Sequence, residues 1–323
     1  MEAIDISADQ VHRRSIVVAI HDHRPIGTDL PLMIAGGVTA KVYQVTLDVD
    51  IAAGYEASRT QTEGWLRLAT SGMENALHEI EVHHEHCILA KKANDILQAK
   101  EGGHVAILIG TEGARWLEGT LEPLHLFHRL GLRELQLTWS FPNPLVPDKQ
   151  LSSFGREVVS ECEQLGIIID LTHIEKEAFY QVIDLARQPV IVSHGTCQSV
   201  TMDLDDDRIR ALASTGGVLG IHFYRTYLGS NPNPEEVFRQ IDYVAGLVGI
   251  DYVALGVDLF PTGGRWRDFQ IAQGMSDLRW AVKDLSEMPK ITRCLVEHGY
   301  SEEDVHKVLG YNFLRVCQEV FGE

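Results

Sequence analysis

Two histidines, His21 and His23, end an apolar run near the start of the chain, in the sequence IVVAIHDH of residues 16–23. Side chains two positions apart on a strand point to the same side, so both imidazoles can bind one metal ion. Asp22 between them faces the other way, and we expect it to pair with a neighbouring loop or helix. Imidazole is a common zinc ligand, so this stretch predicts part of a metal site.

Four more ionisable side chains follow apolar runs further along the chain, namely Glu112, His173, His194 and Asp258. One catalytic zinc ion needs only three protein ligands and a water, so four imidazoles and two carboxylates are enough for two ions. Two cations about 3.5–4 Å apart need a bridging anion. Glu112 is the best candidate for the bridge, and the run RELQLTW contains no lysine that could be modified to serve instead.

Short runs rich in Val, Ile and Leu alternate with segments of helical period along the chain. We predict strands at 16–22, 41–48, 104–110, 134–139, 167–172, 189–193, 218–223 and 252–257. Helices are predicted at 58–99, 119–130, 152–165, 174–187, 205–215, 234–249 and 302–321. Eight strands with intervening helices predict an α/β fold, the (β/α)8 TIM barrel, whose active site lies at the carboxyl ends of the strands. A doubly wound sheet is the alternative, but no glycine-rich phosphate fingerprint follows the first strand.

The composition narrows the possible functions. The length of 323 residues is enough for one large domain, and we predict a single domain over residues 1–323. The net charge of −18 disfavours nucleic acid and anionic membrane surfaces as partners. Because the N-terminus has no signal pattern and no apolar run reaches membrane-spanning length, we expect a cytoplasmic protein. Five scattered cysteines without a C-x-x-C pair predict neither a disulfide framework nor a cysteine zinc site.

Several motifs together resemble a known family. They are Glu112 in IGTEG, FGREVVSECEQLGIIIDLTH ending at His173, PVIVSH ending at His194, GGVLGIHFY, ALGVD ending at Asp258, and SEEDVHKVLGYNFLRV. In this order and spacing, over most of the chain, they are similar to the renal (membrane) dipeptidase family of the amidohydrolase superfamily. The resemblance implies a binuclear zinc site, with His21 and His23 on one ion, His173 and His194 on the other, and Glu112 as the bridge.

The same resemblance implies an activity. Water activated by the ions would cleave the amide bond of a dipeptide or similar small peptide, and Asp258, beside that water, would carry its proton to the departing amine. The family also suggests a homodimer. Two alternatives stay open: a hydrolase of a non-peptide amide, lactam or N-acyl compound on the same metal site, and a catalytically silent member that binds a small ligand. The complete set of six metal-site groups argues against the silent member.

Three positions depart from the family pattern. His23 stands where the family typically has aspartate, which leaves the site one unit more positive. Trp139 replaces a histidine that contacts the substrate carbonyl, and its indole N–H can donate a hydrogen bond but cannot take up a proton. Met202 aligns with an arginine that binds the substrate carboxylate. Recognition of a free C-terminus is therefore less secure than hydrolytic chemistry.

Other residues are candidates for substrate contact. We predict that Trp139, His222 and Arg225 bind substrate, with a core role as the alternative for His222. Arg225 follows the seventh predicted strand, and Arg265 and Arg267 in the loop GGRWRD are other possible replacement cations. For each arginine, an ordinary surface position is the alternative.

Two further features are given structural interpretations. The run EVHHEHC at 81–87 is predicted to be helical, with His83 and His86 solvated and His84 on the apolar side. Cys197, three residues after His194, could act as a nucleophile. A binuclear metal site already activates water, so we interpret this thiol as a packing residue.

Overall fold

The computed structural model describes residues 7–141, 143–197, 204–275 and 277–322. Its strands are β1 Val18–Asp22, β2 Ala40–Leu47, β3 Cys87–Leu89, β4 Val105–Glu112, β5 Leu132–Gln136, β6 Ile168–Asp170, β7 Val192–Gly195, β8 Leu219–His222 and β9 Val253–Gly256. Every pairing between these strands is parallel.

The helices follow the strands in the chain and cover the sheet. They are α1 Ala8–Arg14, α2 Ile26–Ala35, α3 Tyr55–Thr60, α4 Trp65–Val82, α5 Ala93–Gly102, α6 Glu122–Leu130, α7 Ser153–Leu165, α8 Lys176–Leu185, α9 Asp206–Ser214, α10 Arg225–Leu228, α11 Pro234–Val248, α12 Gly264–Ala272, α13 Pro289–Glu297, α14 Glu302–His306 and α15 Asn312–Phe321. Ser152 and Asp205 cap α7 and α9 through their side-chain oxygens. In the described parts of the chain, no helix combines the length and apolar character needed to span a bilayer.

The strands close into a barrel. β1, β2, β4, β5 and β6 are successive neighbours in one sheet, and β7, β8 and β9 form a second. Between β6 and β7, the N–H of Ile191 donates to the carbonyl of Ile169 at 2.9 Å. Between β9 and β1, the N–H of Asp258 donates to the carbonyl of His21 at 3.0 Å. The predicted (β/α)8 barrel is confirmed, and its closure brings the first and last strand ends together.

The predicted helix over 58–99 is wrong. That segment contains α3, α4, the short strand β3 and α5. β3 pairs with residues 105–107 of β4, and β5 pairs with β4 from residue 109 onward. Polar helix-forming residues on both sides hide the short strand, whose Cys87 is buried. The EVHHEHC run therefore ends α4 in a turn, and His84 is exposed instead of packed.

The prediction also omits α1, α2, α10, α12 and α13. Helix α2 contains an internal proline, Pro31, which in a sequence signals the end of a helix. Helix α12 begins at the glycine pair of GGRWRD, so a segment that the sequence predicts to be a loop is helical. Helices α2 and α12 fill the connections after β1 and β9 and so border the end of the barrel where the site lies.

A buried ion-pair cluster holds the back of β1. Lys41 Nζ, on β2, lies 2.8 Å from Asp22 Oδ1 and 2.9 Å from Asp29 Oδ2. All three side chains are fully buried. Burial alone would lower the pKa of Lys41, but the two carboxylates outweigh it and raise the pKa. Asp22 thus points away from the histidines on either side, as expected from strand alternation.

Replacing Lys41 by methionine is expected to lower the free energy of unfolding by about 3–5 kcal/mol, because two buried carboxylates would lose their cation. Urea denaturation followed by circular dichroism measures the change. The matched control is Lys290→Met, which removes an exposed lysine and should cost about 1 kcal/mol or less. Equal losses for both variants would contradict the structural role of the cluster.

Candidate active site

Six ionisable side chains converge at the carboxyl ends of the strands. His21 lies in β1 and His23 directly after it, Glu112 ends β4, His173 follows β6, His194 lies in β7, and Asp258 follows β9. Their ligand atoms form three groups within which all atoms lie within 4.8 Å of one another. His173 is the most exposed of the six, and the other five are buried. These are the six positions predicted from the sequence.

Glu112 lies between two pairs of imidazoles. On one side, its Oε2 atom is 3.0 Å from His23 Nε2 and 3.9 Å from His21 Nε2. On the other side, its Oε1 atom is 3.1 Å from His173 Nε2 and 3.6 Å from His194 Nε2. Each carboxylate oxygen therefore faces its own pair of histidines, which is the arrangement of a bridging ligand.

Asp258 lies beside the first pair. Its Oδ1 atom is 3.6 Å from His23 Nε2 and 3.8 Å from His21 Nε2. This oxygen is buried and has no hydrogen-bond partner among the described residues. Its Oδ2 atom is 3.1 Å from His222 Nε2. His222 Nδ1 accepts the backbone N–H of Tyr224 at 3.0 Å, so the proton of this imidazole is on Nε2 and is donated to Asp258.

The hydrogen bonds behind the histidines show that the site fits metal ions. Ser193 donates its hydroxyl proton to Asp170, so its oxygen can accept from His194 Nδ1 at 3.0 Å. His21 Nδ1 lies 3.2 Å from the same oxygen and 3.1 Å from the amide Nε2 of Gln44, which can donate to it. Protonation of His194 at Nδ1 leaves its Nε2 lone pair free, and this atom faces His173 Nε2 at 3.1 Å in the centre of the site. His194 is thus held in the form that binds a metal ion.

The electrostatics of the site favour neutral imidazoles at His21 and His194 and an ionised Glu112. At His23, burial alone would lower the pKa, but the hydrogen bond to Glu112 and the nearby carboxylates outweigh it and raise the pKa. Burial, together with the neighbouring His194, holds the pKa of His21 well below 6.5, and burial does the same for His194. Burial alone would raise the pKa of Glu112, but hydrogen bonds from His173 and His23 outweigh it and keep the pKa well below 4.5. Neutral imidazoles around an ionised carboxylate are the forms that bind divalent cations.

Two site residues have strained backbones. His173 has φ 64° and Asp258 has φ 48°, in the left-handed region that residues other than glycine rarely adopt. Such a conformation costs on the order of 1–3 kcal/mol and persists where the surroundings hold it. Both residues closely follow a strand end, so the strain turns their side chains back over the barrel.

Sequence reasoning missed the carboxyl groups beneath the site. Glu134 and Asp170 are fully buried, and burial together with the charge of Asp170 raises the pKa of Glu134 well above 4.5. Gly110 makes room for this group, since a Cβ there would lie 2.0 Å from Glu134 Oε2. The sequence signal for these groups was an acidic residue inside a strand-like run, Glu134 in RELQL and Asp170 in IIIDL. Of these two, Asp170 supports the histidines through Ser193.

Ser193→Ala tests that support. The variant is expected to weaken metal binding about 10–100-fold, because His194 loses the acceptor that fixes its tautomer and His21 loses a polar neighbour of its Nδ1 atom. Competition with a chromophoric zinc chelator measures the affinity. Ser160→Ala, which changes an exposed serine of α7, is the matched control and should bind as wild type. Unchanged affinity in Ser193→Ala would contradict the proposed support of the imidazoles by its hydroxyl.

A pocket opens above the six side chains. Trp139 and His222, both predicted to contact substrate, line it together with Tyr224, Tyr227, Phe260, Trp266, Phe269, Gln273 and Met275. Trp139 is half-buried and packs against Phe141 and Phe269. The aromatic lining comes from segments after β5, β8 and β9, which sequence periodicity did not single out.

The arginines considered as possible substrate-binding cations do not line this pocket. Arg225 is not among the residues that line the pocket, because its Nε atom pairs with Asp277 Oδ2 at 3.3 Å. Arg265 is exposed, and Arg267 is half-buried on α12 and also does not line the pocket. Met202, which aligns with the carboxylate-binding arginine, lies outside the described residues.

A parallel (β/α)8 barrel with histidines and carboxylates converging at its carboxyl end defines the class of metal-dependent hydrolases. The sequence model of the membrane dipeptidase family, peptidase family M19, matches residues 4–321, so the chain belongs to that family. The resemblance in the motifs is thereby confirmed. Members of the family are metallopeptidases, and the residues described above are candidates to bind the metal.

Relatives and solved structures agree. The chain is 28% identical over 255 residues to dipeptidase tcpJ of Claviceps purpurea, covering 75% of this chain and 57% of that protein. It is 27% identical over 265 residues to human dipeptidase 3, covering 76% and 52%. The chain thus spans little more than half the length of these relatives.

The barrel superimposes on bacterial structures over nearly its whole length. An amidohydrolase from Pseudomonas aeruginosa has a TM-score of 0.86 and 25% identity, covering 98% of this chain and 100% of that chain. A Rhodobacter sphaeroides metallopeptidase, solved with a phosphinate mimic of the dipeptide L-Ala-D-Ala, has a TM-score of 0.80 and 20% identity, covering 95% and 99%. At this identity the second likeness shows the fold alone.

Proposed function

We propose that this protein is a zinc-dependent hydrolase with two ions per chain that cleaves the amide bond of a dipeptide or similar small peptide. The observation that carries the proposal is the position of Glu112, whose two oxygens face two separate pairs of histidines. His21 and His23 would hold one ion and His173 and His194 the other. Membership in a dipeptidase family, together with the dipeptidases among the relatives, supports the substrate class.

The ions, when bound, would supply Lewis acidity toward the substrate carbonyl and lower the pKa of a water molecule. The chain's own contribution to proton transfer is Asp258. Its Oδ1 atom accepts no hydrogen bond from the described residues and faces the imidazoles, so it can accept a proton from the attacking water. The same oxygen can return that proton to the departing amine nitrogen.

His222 is a positioning residue in this proposal. Its Nδ1 is occupied by the N–H of Tyr224, and its Nε2–H is directed at Asp258 Oδ2. The ring also stacks on Tyr227, with 4.2 Å between ring centroids. Oriented in this way, His222 fixes one oxygen of Asp258 and leaves the other for the proton.

A dipeptide panel tests the proposal. Purified protein loaded with zinc should release free amino acids from at least some L-L or L-D dipeptides, and treatment with a chelator should abolish the release. Mass spectrometry of the products identifies the cleaved bond. Zinc-loaded protein that cleaves no peptide or amide in the panel would contradict the proposed function and favour a silent ligand-binding protein.

The assembly that we propose is a homodimer, and its support is the family resemblance alone. Light scattering of the purified protein tests it. A mass near twice 36.1 kDa supports the dimer, and a mass near 36.1 kDa contradicts it.

A further inference from the structure

We infer that the preferred substrate has no free carboxylate beyond the bond that is cut, and that an uncharged aromatic or apolar group takes its place. The inference rests on the proposed function in one respect, namely that the pocket above the six ligands receives the substrate. It shifts the preferred substrate from dipeptides, which end in a free carboxylate, to similar small peptides and amides whose end is neutral.

Six aromatic residues surround the pocket, and we call them the aromatic collar: Trp139, Tyr224, Tyr227, Phe260, Trp266 and Phe269. The collar begins directly at the ligand side chains. The centroid of the His23 ring is 5.8 Å from that of Trp266 and 6.2 Å from that of Phe260. A substrate whose scissile carbonyl lies at the six site residues therefore has its next group within a lining made mostly of these rings, with Ser140, Thr226, Gln270 and Gln273 as its uncharged polar members.

The described lining of the pocket contains no lysine or arginine. Four arginines adjoin lining residues in sequence. Arg225 contacts Asp277 at 3.3 Å and Arg24 contacts Asp29 at 3.4 Å, and Arg265 and Arg267 on α12 do not line the pocket. The segments outside the described residues cannot supply one either. Between residues 7 and 322 these are 142, 198–203 and 276, with the sequences P, QSVTMD and S.

A free carboxylate would be poorly accommodated in the collar. It would lose hydration without gaining a salt bridge, which is costly for an anion. The faces of aromatic rings carry partial negative charge and favour cations or apolar groups over anions. The chain's net charge of −18 adds a general repulsion for anionic ligands. An amide, an ester or a plain hydrocarbon group avoids these costs and still buries its apolar surface.

A matched pair of probes tests the inference: glycyl-L-phenylalaninamide and glycyl-L-phenylalanine, which differ only in the terminal charge. With zinc-loaded protein we expect kcat/KM for the cleavage of the glycyl bond to be at least tenfold higher for the amide. Equal values, or a preference for the acid, would overturn the inference. If neither probe is cut, the proposed function fails on this pair, and both probes remain intact as ligands.

In that case the change in the protein's tryptophan fluorescence, to which Trp139 and Trp266 of the pocket contribute, measures binding. Tighter binding of the amide by tenfold or more supports the inference, and equal or tighter binding of the acid overturns it. The kinetic and the binding measurement together thus distinguish a wrong inference about the substrate's end from an absence of hydrolysis.

Three variants make the test sharper. Gln273 lines the pocket, and Gln273→Arg should raise the kcat/KM or affinity for the acid probe at least tenfold relative to the amide probe, whereas Gln273→Met, of similar length, should not. Arg225→Gln should leave the preference between the two probes unchanged. If Arg225→Gln selectively lowers the kcat/KM or affinity for the acid probe, this arginine binds the substrate carboxylate, and the inference is overturned.

Discussion

Glu112→Ala is expected to bind at most one metal ion per chain where wild type binds two, and to lose more than about 100-fold in kcat/KM. Substituting a residue that only hydrogen-bonds to a metal ligand already lowers metal affinity or activity about 10–100-fold, so the loss of a ligand itself is expected to exceed that range. Removing this side chain leaves four imidazoles without the one carboxylate that contacts both pairs. Two cations would then repel each other with no anion between them. Elemental analysis by mass spectrometry and steady-state kinetics measure the two effects.

The control for this variant is Glu122→Ala on α6, a fully exposed glutamate that is not among the site residues. It should keep two ions and wild-type activity. A Glu112→Ala protein that still holds two ions and remains active would show that the carboxylate is not a bridge, and the two-ion site would have to be abandoned.

Asp258→Asn is the second large effect. The amide is almost the same size and can still accept the hydrogen bond from His222, but it cannot take up a proton. We expect kcat to fall about 10²–10⁴-fold, the range for a lost general acid–base group. KM should change much less, because the aromatic collar and the histidines remain. Stopped assays over a range of substrate concentrations separate kcat from KM.

Metal content decides how that loss is interpreted. If Asp258→Asn keeps two ions while kcat falls, the carboxylate acts in proton transfer. A loss of both ions together with activity would instead assign Asp258 to metal binding, and would contradict its proposed role in proton transfer. Asp268→Asn on α12, an exposed aspartate, is the matched control and should resemble wild type in both measurements.

The ligand positions could be predicted because they obey a simple geometric rule. In a parallel barrel every strand ends at the same rim, so a polar residue after an apolar run has a known location. His21 and Asp258 are more than two hundred residues apart in sequence, yet barrel closure joins their backbones by a hydrogen bond. Alternation along β1 likewise turned Asp22 toward Lys41.

Other features followed no local pattern. The strand β3 has only three residues and is paired to β4 by tertiary contacts, so propensity alone favoured a helix through it. Ser193 supports two histidines only because β1 and β7 face each other across the barrel. Arg225 is next to a pocket residue in sequence, but its pairing with Asp277, 52 residues later, keeps it from the pocket lining.

The pocket itself was the least predictable part. The aromatic collar comes from three separate connections whose residues show neither a helical nor a strand period. Trp139 could be singled out from the family pattern, whereas Phe260 and Trp266 gave no such signal. The identity of the substrate depends mainly on these segments, and so the family pattern predicts the chemistry better than the specificity.

Anomalous diffraction from crystals of the zinc-loaded protein, recorded at the zinc absorption edge, tests the binuclear site most directly. We expect two strong peaks per chain, one beside His21 and His23 and the other beside His173 and His194, with Glu112 contacting both. A single peak, or two peaks that do not share Glu112, would contradict the binuclear site on which the proposed hydrolysis depends.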